Sequence, residues 1–376
     1  MSRENLLLIS DSVRDANMLY AVGLFLSDPF IFLQIGSKRI IAVSELEVDR
    51  TRAQARRCRV IPMGPYLRKL DRAGFKRPTL AHVAAELMIE HGIRKVTVPM
   101  DFPVGVARML EELKIKLKVA KGSCFPQREK KSADEVKRIS AALLMAEVGM
   151  AEAIHAVRVS KIRKDRRLIY HGVPLTSEKL RSIIEVAVLQ AGGCASQTIV
   201  SCGLQTCRPH ERGQGLLRAN EPIMIDIFPR SQKTGYYGDI TRTVVKGKAS
   251  EPIRKLYTLV SEAQNLAFSQ MRVGRSASEV HQTVHRFFSQ QGCRTGRTDG
   301  HMEGFFHAIG HGIGLELHEA PRIGPMSRDL LVSGQVVTNE PGLYYPEVGG
   351  VRLEDVIHIT RSGPKNLTRF EKVLEV

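Results

Sequence analysis

The sequence predicts two domains: an α/β domain over residues 1–125 and an α+β domain over residues 126–376. Three observations carry this reading. The chain has 376 residues, about two to three times the length of a usual domain. Residues 1–120 alternate between strand-like and helix-like patterns, which is the mark of a layered α/β domain. A linker-like stretch, Gly122-Ser-Cys-Phe-Pro126, then leads into a long helical pattern and a second half rich in strands and glycines.

Taken in order, residues 31–35 and 39–43 are apolar runs flanking Gly36-Ser37 and predict a hairpin. Residues 80–91 carry apolar side chains at helical spacing and stop at Gly92. Residues 95–99 and 115–120 read as strands, with a helix over 103–113 between them. Ser132 and Glu135 have the spacing of a capping box, in which each side chain satisfies a backbone N–H left unpaired at a helix start. The apolar face of Val136, Ile139, Leu143 and Met145 to Val148 carries that helix to about residue 157. Further helices are predicted over 177–190, 252–271 and 276–290. Strands are predicted over 198–201, 222–228, 240–245, 336–339 and 351–360. This order does not follow βαβ winding.

Hydrophobic residues make up 43% and charged residues 25%, the mix of a soluble globular protein, which excludes collagen-like, low-complexity and wholly disordered classes. No unbroken apolar run reaches the roughly 18–20 residues of a membrane span, and Leu6 to Ile9 is too short for the apolar core of a secretory signal. A cytoplasmic protein with no membrane partner is expected. The six cysteines at 58, 124, 194, 202, 207 and 293 match neither a disulfide scaffold nor a zinc knuckle and read as small buried hydrophobes. The net charge is +17, with local clusters at residues 50–59 and 161–167. Both domains share it: 21 basic and 13 acidic residues lie in 1–125, and 35 and 26 in the remainder. Without a zinc finger or an aromatic RNA-binding motif beside the clusters, solvated surface is favoured over a nucleic-acid groove.

The chemistry sits where carboxylates interrupt apolar strands. Asp226 lies inside Pro222-Ile-Met-Ile-Asp-Ile-Phe228, where a carboxylate is costly unless paired or bound to a cation. Asp239 follows in Tyr236-Tyr-Gly-Asp-Ile-Thr-Arg-Thr243. Glu340 ends Val336-Val-Thr-Asn-Glu340, and Glu354 lies in Gly349-Gly-Val-Arg-Leu-Glu-Asp355. Residues 301–319 add histidines at 301, 307, 311 and 318. The glycines around His311 speak against a zincin-type helical pair and predict a backbone that approaches something closely. Four carboxylates and a histidine form a hard, oxygen-rich donor set suited to Mn²⁺, Mg²⁺ or Co²⁺, with Zn²⁺ or Fe²⁺ as less diagnostic alternatives. They exceed the charge that one divalent ion needs. Two ions sharing carboxylates and a bridging hydroxide would balance it.

These segments resemble the pita-bread metallopeptidases, the family of aminopeptidase P, prolidase, creatinase and methionine aminopeptidase. The likeness runs in order through Asp226, 236–243, 307–319, 339–344 and 351–355. It extends to the helix opening at Ser132 and to Ser10-Asp-Ser and Asn17-Met-Leu-Tyr20. It implies a creatinase-type α/β N-terminal domain followed by an α+β pita-bread catalytic domain. It also implies that Asp226, Asp239, His311, Glu340 and Glu354 bind two divalent ions, Mn²⁺ or Co²⁺ foremost, with Asp239 and Glu354 bridging them. Asp226 would complete one metal site, and His311 and Glu340 the other.

By the same resemblance Glu340 takes the proton of the attacking water, His318 faces the substrate carbonyl, and His210, His307 and Tyr344 contact substrate. Arg352 matches an arginine typical of the aminopeptidase P branch and helps hold the bridging groups. The interval from Asp226 to Asp239 is about two residues longer than the family's, through 229–234, near the expected site mouth. The extra N-terminal domain favours the proline-specific branch over methionine aminopeptidase. The implied activity is hydrolysis of Xaa-Pro bonds in dipeptides or at peptide N-termini, by a homodimer with a peptide as its partner. Phe306 and Tyr344 are candidate walls of a proline pocket. The rival readings are a pita-bread binding protein for nucleic acid or a protein, and a related C–N hydrolase with a changed substrate.

Overall fold

Period-two alternation in the first unit builds one mixed sheet. Its strands run in the spatial order Arg59–Pro62, Lys38–Val43, Phe30–Ile35, Leu6–Ser10, Lys95–Val98 and Lys116–Val119. The short apolar run at the N-terminus is thus a central strand, antiparallel to Phe30–Ile35 and parallel to Lys95–Val98. Leu7, Ile9, Ile31 and Leu33 point to one apolar cluster, and Leu6, Leu8, Phe30 and Phe32 to another on the opposite face. A strand buried on both faces reads as a continuous apolar run. The predicted hairpin and helices are present, the latter as Leu80–Glu90 and Val104–Glu112. This computed structural model describes residues 5–55 and 58–376. Arg56 and Arg57 of the basic cluster at 50–59, and residues 1–4, lie outside the described residues.

Contacts divide the chain into two units, Met1–Pro126 and Gln127–Val376. The second opens with helix Ala133–Val159, and the capping box forms as expected. Ser132 Oγ accepts from the Glu135 N–H at 3.3 Å, and the Glu135 carboxylate accepts from the Ser132 N–H at 2.9 Å. By length and composition this helix could cross a membrane, which a search for unbroken apolar runs passes over. Its buried face, including Ile139, Leu143, Ala146, Met150 and Val157, is that of a core helix.

Helices Ser177–Gln190, Glu251–Gln270 and Ala277–Gln290 accompany antiparallel sheets. One joins Ile199–Cys202, Pro222–Ile227 and Ile240–Val245. A second has the order Glu319–Ile323, Gly310–Gly312, Val336–Asn339, Asp355–Thr360 and Gly363–Asn366.

Two expectations need correction. Residues 351–360 are not one strand. Gly349–Arg352 pairs with Gly342–Tyr345, whereas Asp355–Thr360 joins the five-stranded sheet. The break comes at Leu353-Glu354, where the Leu353 N–H bonds Pro341 O and the Glu354 N–H bonds Thr241 O. The cysteines are unpaired, but only Cys202 is buried, and Cys194 is exposed. The long 229–234 segment turns back on itself, the Ser231 N–H bonding Tyr236 O, and its strand Arg230–Ser231 also pairs with Gly193–Cys194 next to Phe228 of the central cavity.

Candidate active site

Two strand pairs bring the carboxylates together. In the first, Asp226 lies opposite Thr241, and Asp239 just precedes that strand. In the second, Asn339 lies opposite Asp355. Continuing that register one step places Glu340 across from Glu354 at the ladder's end. His311 comes from the short strand Gly310–Gly312, which pairs with Val336–Asn339 through Gly312 and Val337. The expected close approach is real. A Cβ on Gly310 would sit 2.1 Å from Thr338 O, and one on Gly312 2.2 Å from Ala320 O.

These residues surround a cavity of about 600 Å³, within the usual range for a small-molecule or peptide site. Asp226, Asp239, His311, Glu340 and Glu354 all line it, as do His210, His307, His318 and Arg352. Ligand atoms of Asp239, His311 and Glu354 lie within 4.8 Å of one another. His311 Nε2 is 3.4 Å from Glu340 Oε1 and 3.8 Å from Asp239 Oδ2. Its Nδ1 lies 3.1 Å from the Gly312 carbonyl. A carbonyl can only accept, so Nδ1 carries the proton and Nε2 presents a lone pair to the carboxylates. Burial lowers the pKa of His311 to about 4, keeping it neutral.

The carboxylates are buried against one another. Burial, then repulsion from Glu354 and Asp226, pushes Asp239 well above the usual range. Burial, then Glu340 and Asp226, does the same to Glu354. Burial pushes Glu340 up to about 7 against the pull of Arg352. Thr241 Oγ1 donates to Glu354 at 2.7 Å, and Thr338 Oγ1 to Glu340 at 3.3 Å. Arg352 Nη2 donates to Asp226 Oδ2 at 2.7 Å. The other oxygen, Asp226 Oδ1, is buried with no hydrogen-bond partner. An orphaned carboxylate oxygen among mutually repelling acids and a neutral imidazole is a fitting cradle for hard divalent cations.

Tyr344 corrects an expectation. It is fully buried and does not line the cavity, so it cannot touch substrate in this arrangement. It links two residues that do line it. Arg352 Nη1 donates to its hydroxyl at 3.3 Å, and the hydroxyl lies 2.9 Å from His307 Nε2. His307 Nδ1 donates to the Ala308 carbonyl at 2.7 Å, so Nε2 accepts from Tyr344. Phe306 packs on Tyr344 with ring centroids 5.2 Å apart and likewise stays out of the lining. The apolar part of the lining is Ile199, Pro209, Phe228, Ala308 and Leu317 instead.

His318 stands edge-on to His311, with ring centroids 4.3 Å apart. Burial and then His311 lower its pKa to about 4. The adjacent Glu319 anchors its loop. Lys131 Nζ donates to Glu319 at 2.9 Å, and Arg128 donates to both Glu319 and Glu316. Burial alone would raise Glu319, but Lys131 and Arg128 hold its pKa below the usual value. Sequence reasoning missed this clamp and the supporting Thr241 and Thr338. Thr241 had a signal: it is a polar residue in the strand that directly follows Asp239, placed opposite Asp226.

Residues 137–361 match metallopeptidase family M24. Among curated proteins, the Xaa-Pro dipeptidase of Pyrococcus horikoshii is 30% identical over 289 residues, covering 75% of each chain. Among solved structures, the prolidase from Pyrococcus horikoshii OT3 superposes with a TM-score of 0.79 at 26% identity, covering 99% of this chain and 96% of that one. An X-Pro aminopeptidase from Thermotoga maritima gives a TM-score of 0.83 at 20% identity, covering 100% of this chain and 98% of that one. These neighbours establish the expected architecture, an α/β N-terminal domain followed by a pita-bread domain.

Proposed function

Because the chain belongs to metallopeptidase family M24, we propose that it hydrolyses Xaa-Pro peptide bonds with two divalent cations held by Asp226, Asp239, His311, Glu340 and Glu354. The observation that carries the dinuclear part is the orphaned Asp226 Oδ1 inside a buried cluster of repelling carboxylates. Asp239 and Glu354 would be shared, with Asp226 completing one metal site and His311 with Glu340 the other. When bound, two such cations polarise a scissile carbonyl and acidify the attacking water. Manganese or cobalt suits the oxygen-rich donors best.

The chain's own groups supply the rest. Glu340, at the cavity wall beside His311, accepts the proton of the attacking water. His318 remains neutral and offers an N–H to the carbonyl oxygen as negative charge develops there. His210 contacts the substrate near the scissile bond, and His307 is held for contact by Tyr344 and Ala308. Arg352 fixes one oxygen of Asp226 and leaves the other for a cation.

A bond to proline lacks the N–H that many peptidases engage, and its ring fixes φ near −65°. The apolar wall of Ile199, Phe228 and Leu317 gives such a ring a surface without asking for that hydrogen. This reading carries with it a cytoplasmic homodimer, to be checked by light scattering.

The deciding experiment is metal analysis together with kcat/KM for Ala-Pro, Ala-Pro-Ala and Ala-Ala-Ala. The expected result is two divalent ions per chain and cleavage only next to proline. Preference for Ala-Ala-Ala would sink the proline reading.

A further inference from the structure

His307, His311 and His318 all line the cavity, and two of them are fixed by their own rings. His307 Nδ1 donates to the Ala308 carbonyl at 2.7 Å, and His311 Nδ1 to the Gly312 carbonyl at 3.1 Å. Among the described residues the His318 ring makes no hydrogen bond; it stands against the edge of His311, with centroids 4.3 Å apart. It is carried by segment 313–318, which has no regular structure. Its direction is therefore set by the backbone beneath it, and that backbone is held one residue further on, at Glu319.

Glu319 opens its strand opposite Gly312, and its carboxylate is the point on which the loop closes. From inside the loop the Glu316 N–H donates to it at 3.1 Å. From outside, Lys131 Nζ donates to Oε2 at 2.9 Å and Arg128 Nη2 donates to Oε1. Arg128 also donates to the Glu316 carboxylate at 2.7 Å, so both ends of 316–319 are gripped. A Cβ on Gly314 would stand 2.7 Å from Glu319 Oε2, which leaves the turn no room for a side chain while the carboxylate keeps this place. The segment bearing the two cations is itself pinned, since the Lys131 N–H donates to Gly334 O and Gln335 Nε2 donates to Glu129. The Lys131 side chain is 1% exposed and that of Glu319 7%. A buried ion pair adds little net stability over apolar residues of the same size, so stability alone does not account for three charges at this spot.

Resting on the reading of His318 as the donor to the substrate oxyanion, we propose that Lys131 and Arg128 are positioning residues: through Glu319 they hold loop 313–318 so that the His318 N–H meets the carbonyl oxygen as charge develops on it. Such a donor must sit within roughly 0.5 Å of its productive place, and its value lies in needing no reorganisation during the reaction. An imidazole with no ring hydrogen bond of its own has that precision only if its backbone is rigid. Glu319 lines the cavity, whereas neither Lys131 nor Arg128 does, so the two cations act on the reaction only through the loop. Loosening the clamp lets the ring take other directions. That slows the chemical step and leaves substrate and cation binding in place.

The test is a double-mutant cycle on metal-loaded protein with Ala-Pro and Ala-Pro-Ala: wild type, Lys131→Met, His318→Ala and the two combined, with Lys131→Arg as the conservative variant. Lys131→Met should lose about 10–100-fold in kcat, the scale of a misplaced group, with KM within about twofold of wild type and both cations retained. Lys131→Arg should recover most of that loss, since it keeps a donor and a charge for Glu319. In the His318→Ala background the same Lys131→Met change should cost less than about threefold, because residues that act through one group are not additive. Glu319→Gln keeps the side chain's shape and an acceptor for Lys131. It serves if Lys131→Met does not fold, and it should show the same loss in kcat alone at a smaller size. Calorimetric titration with a phosphinic Ala-Pro analogue, whose tetrahedral centre presents the oxyanion, gives a readout without turnover: both clamp variants should weaken it and leave proline binding unchanged. An unchanged kcat in the clamp variants, the full loss repeated in the His318→Ala background, or a loss confined to KM or metal content would overturn the assignment and leave Xaa-Pro cleavage standing. An unchanged kcat in His318→Ala would remove the oxyanion reading and the clamp's role together. No cleavage by metal-loaded wild type would remove the peptidase reading as well.

Discussion

The central strands of the N-terminal unit's six-stranded sheet and of the C-terminal unit's antiparallel sheets are both dry, yet they bury different things. In the first, Leu7, Ile31, Phe32 and Leu33 are fully covered and the strands carry no buried charge. In the second, Asp226, Asp239, Arg242, Arg352, Glu354 and Asp355 are all buried. Desolvating an ion costs several kcal/mol even after relaxation, so each of these must be compensated. Arg242 shows one way: it pairs with Asp355 at 2.9 Å and donates to the carbonyls of Glu354 and Phe370. Asp239 and Glu354 show another, because among the described residues no lysine or arginine forms an ion pair with either, and Arg352 does not offset their mutual repulsion. The difference teaches that a buried charge answered from within holds the fold, whereas one left unanswered marks where a ligand belongs.

The strongest break in that contrast comes from the unanswered acids. Asp239→Ala or Glu354→Ala should abolish turnover and disturb both cation sites, read by metal analysis of the purified variants. Full metal content with full turnover in either would refute the shared-ligand assignment. Next come two variants that should separate stability from metal binding. Arg242→Met removes one of two cations from buried Asp355, which keeps Lys372 at 2.6 Å, at a cost of about 1.5–3 kcal/mol in urea unfolding. Phe32→Ala opens a cavity in the N-terminal unit at a larger cost of about 3–5 kcal/mol, with metal content unchanged.

Smaller is His318→Ala. It should keep both ions and lose about 10²–10³-fold in kcat, as for a lost oxyanion donor, whereas His311→Ala should lose metal and rate together. Equal metal loss in both would erase the distinction. Smallest is Ser132→Ala, which removes half of the capping box and should cost about 1 kcal/mol of stability with kcat untouched.

The same contrast explains what could be read from sequence. Asp226 and Glu340 were legible because a carboxylate ending or interrupting an apolar strand has few bland explanations. Most helices and strands were legible from period and caps. The sheet switch at Leu353-Glu354 was not, since apolar residues continue on both sides and periodicity does not register a change of partner. Tyr344 was placed on the wrong side of the wall: an aromatic after a turn announces packing without saying which surface it meets. The clamp of Arg128 and Lys131 on Glu319 is invisible because its members stand 191 and 188 residues apart.

That clamp also bears on the order in which the chain is made. Its basic half leads into helix Ala133–Val159, which a ribosome delivers early, and its acidic half emerges 188 residues later. Chains are synthesised at about 5–20 residues per second, so Lys131 and Arg128 spend on the order of ten seconds without their partners. Glu354 arrives later still. The N-terminal unit has all its strands by residue 119 and can close while the rest is being translated. The proposed metal centre has no such early stage, because its ligands are spread from Asp226 to Glu354 within the second unit. A nascent chain stalled between Pro126 and Glu354 therefore carries a completed first unit and lacks at least one of the proposed cation ligands.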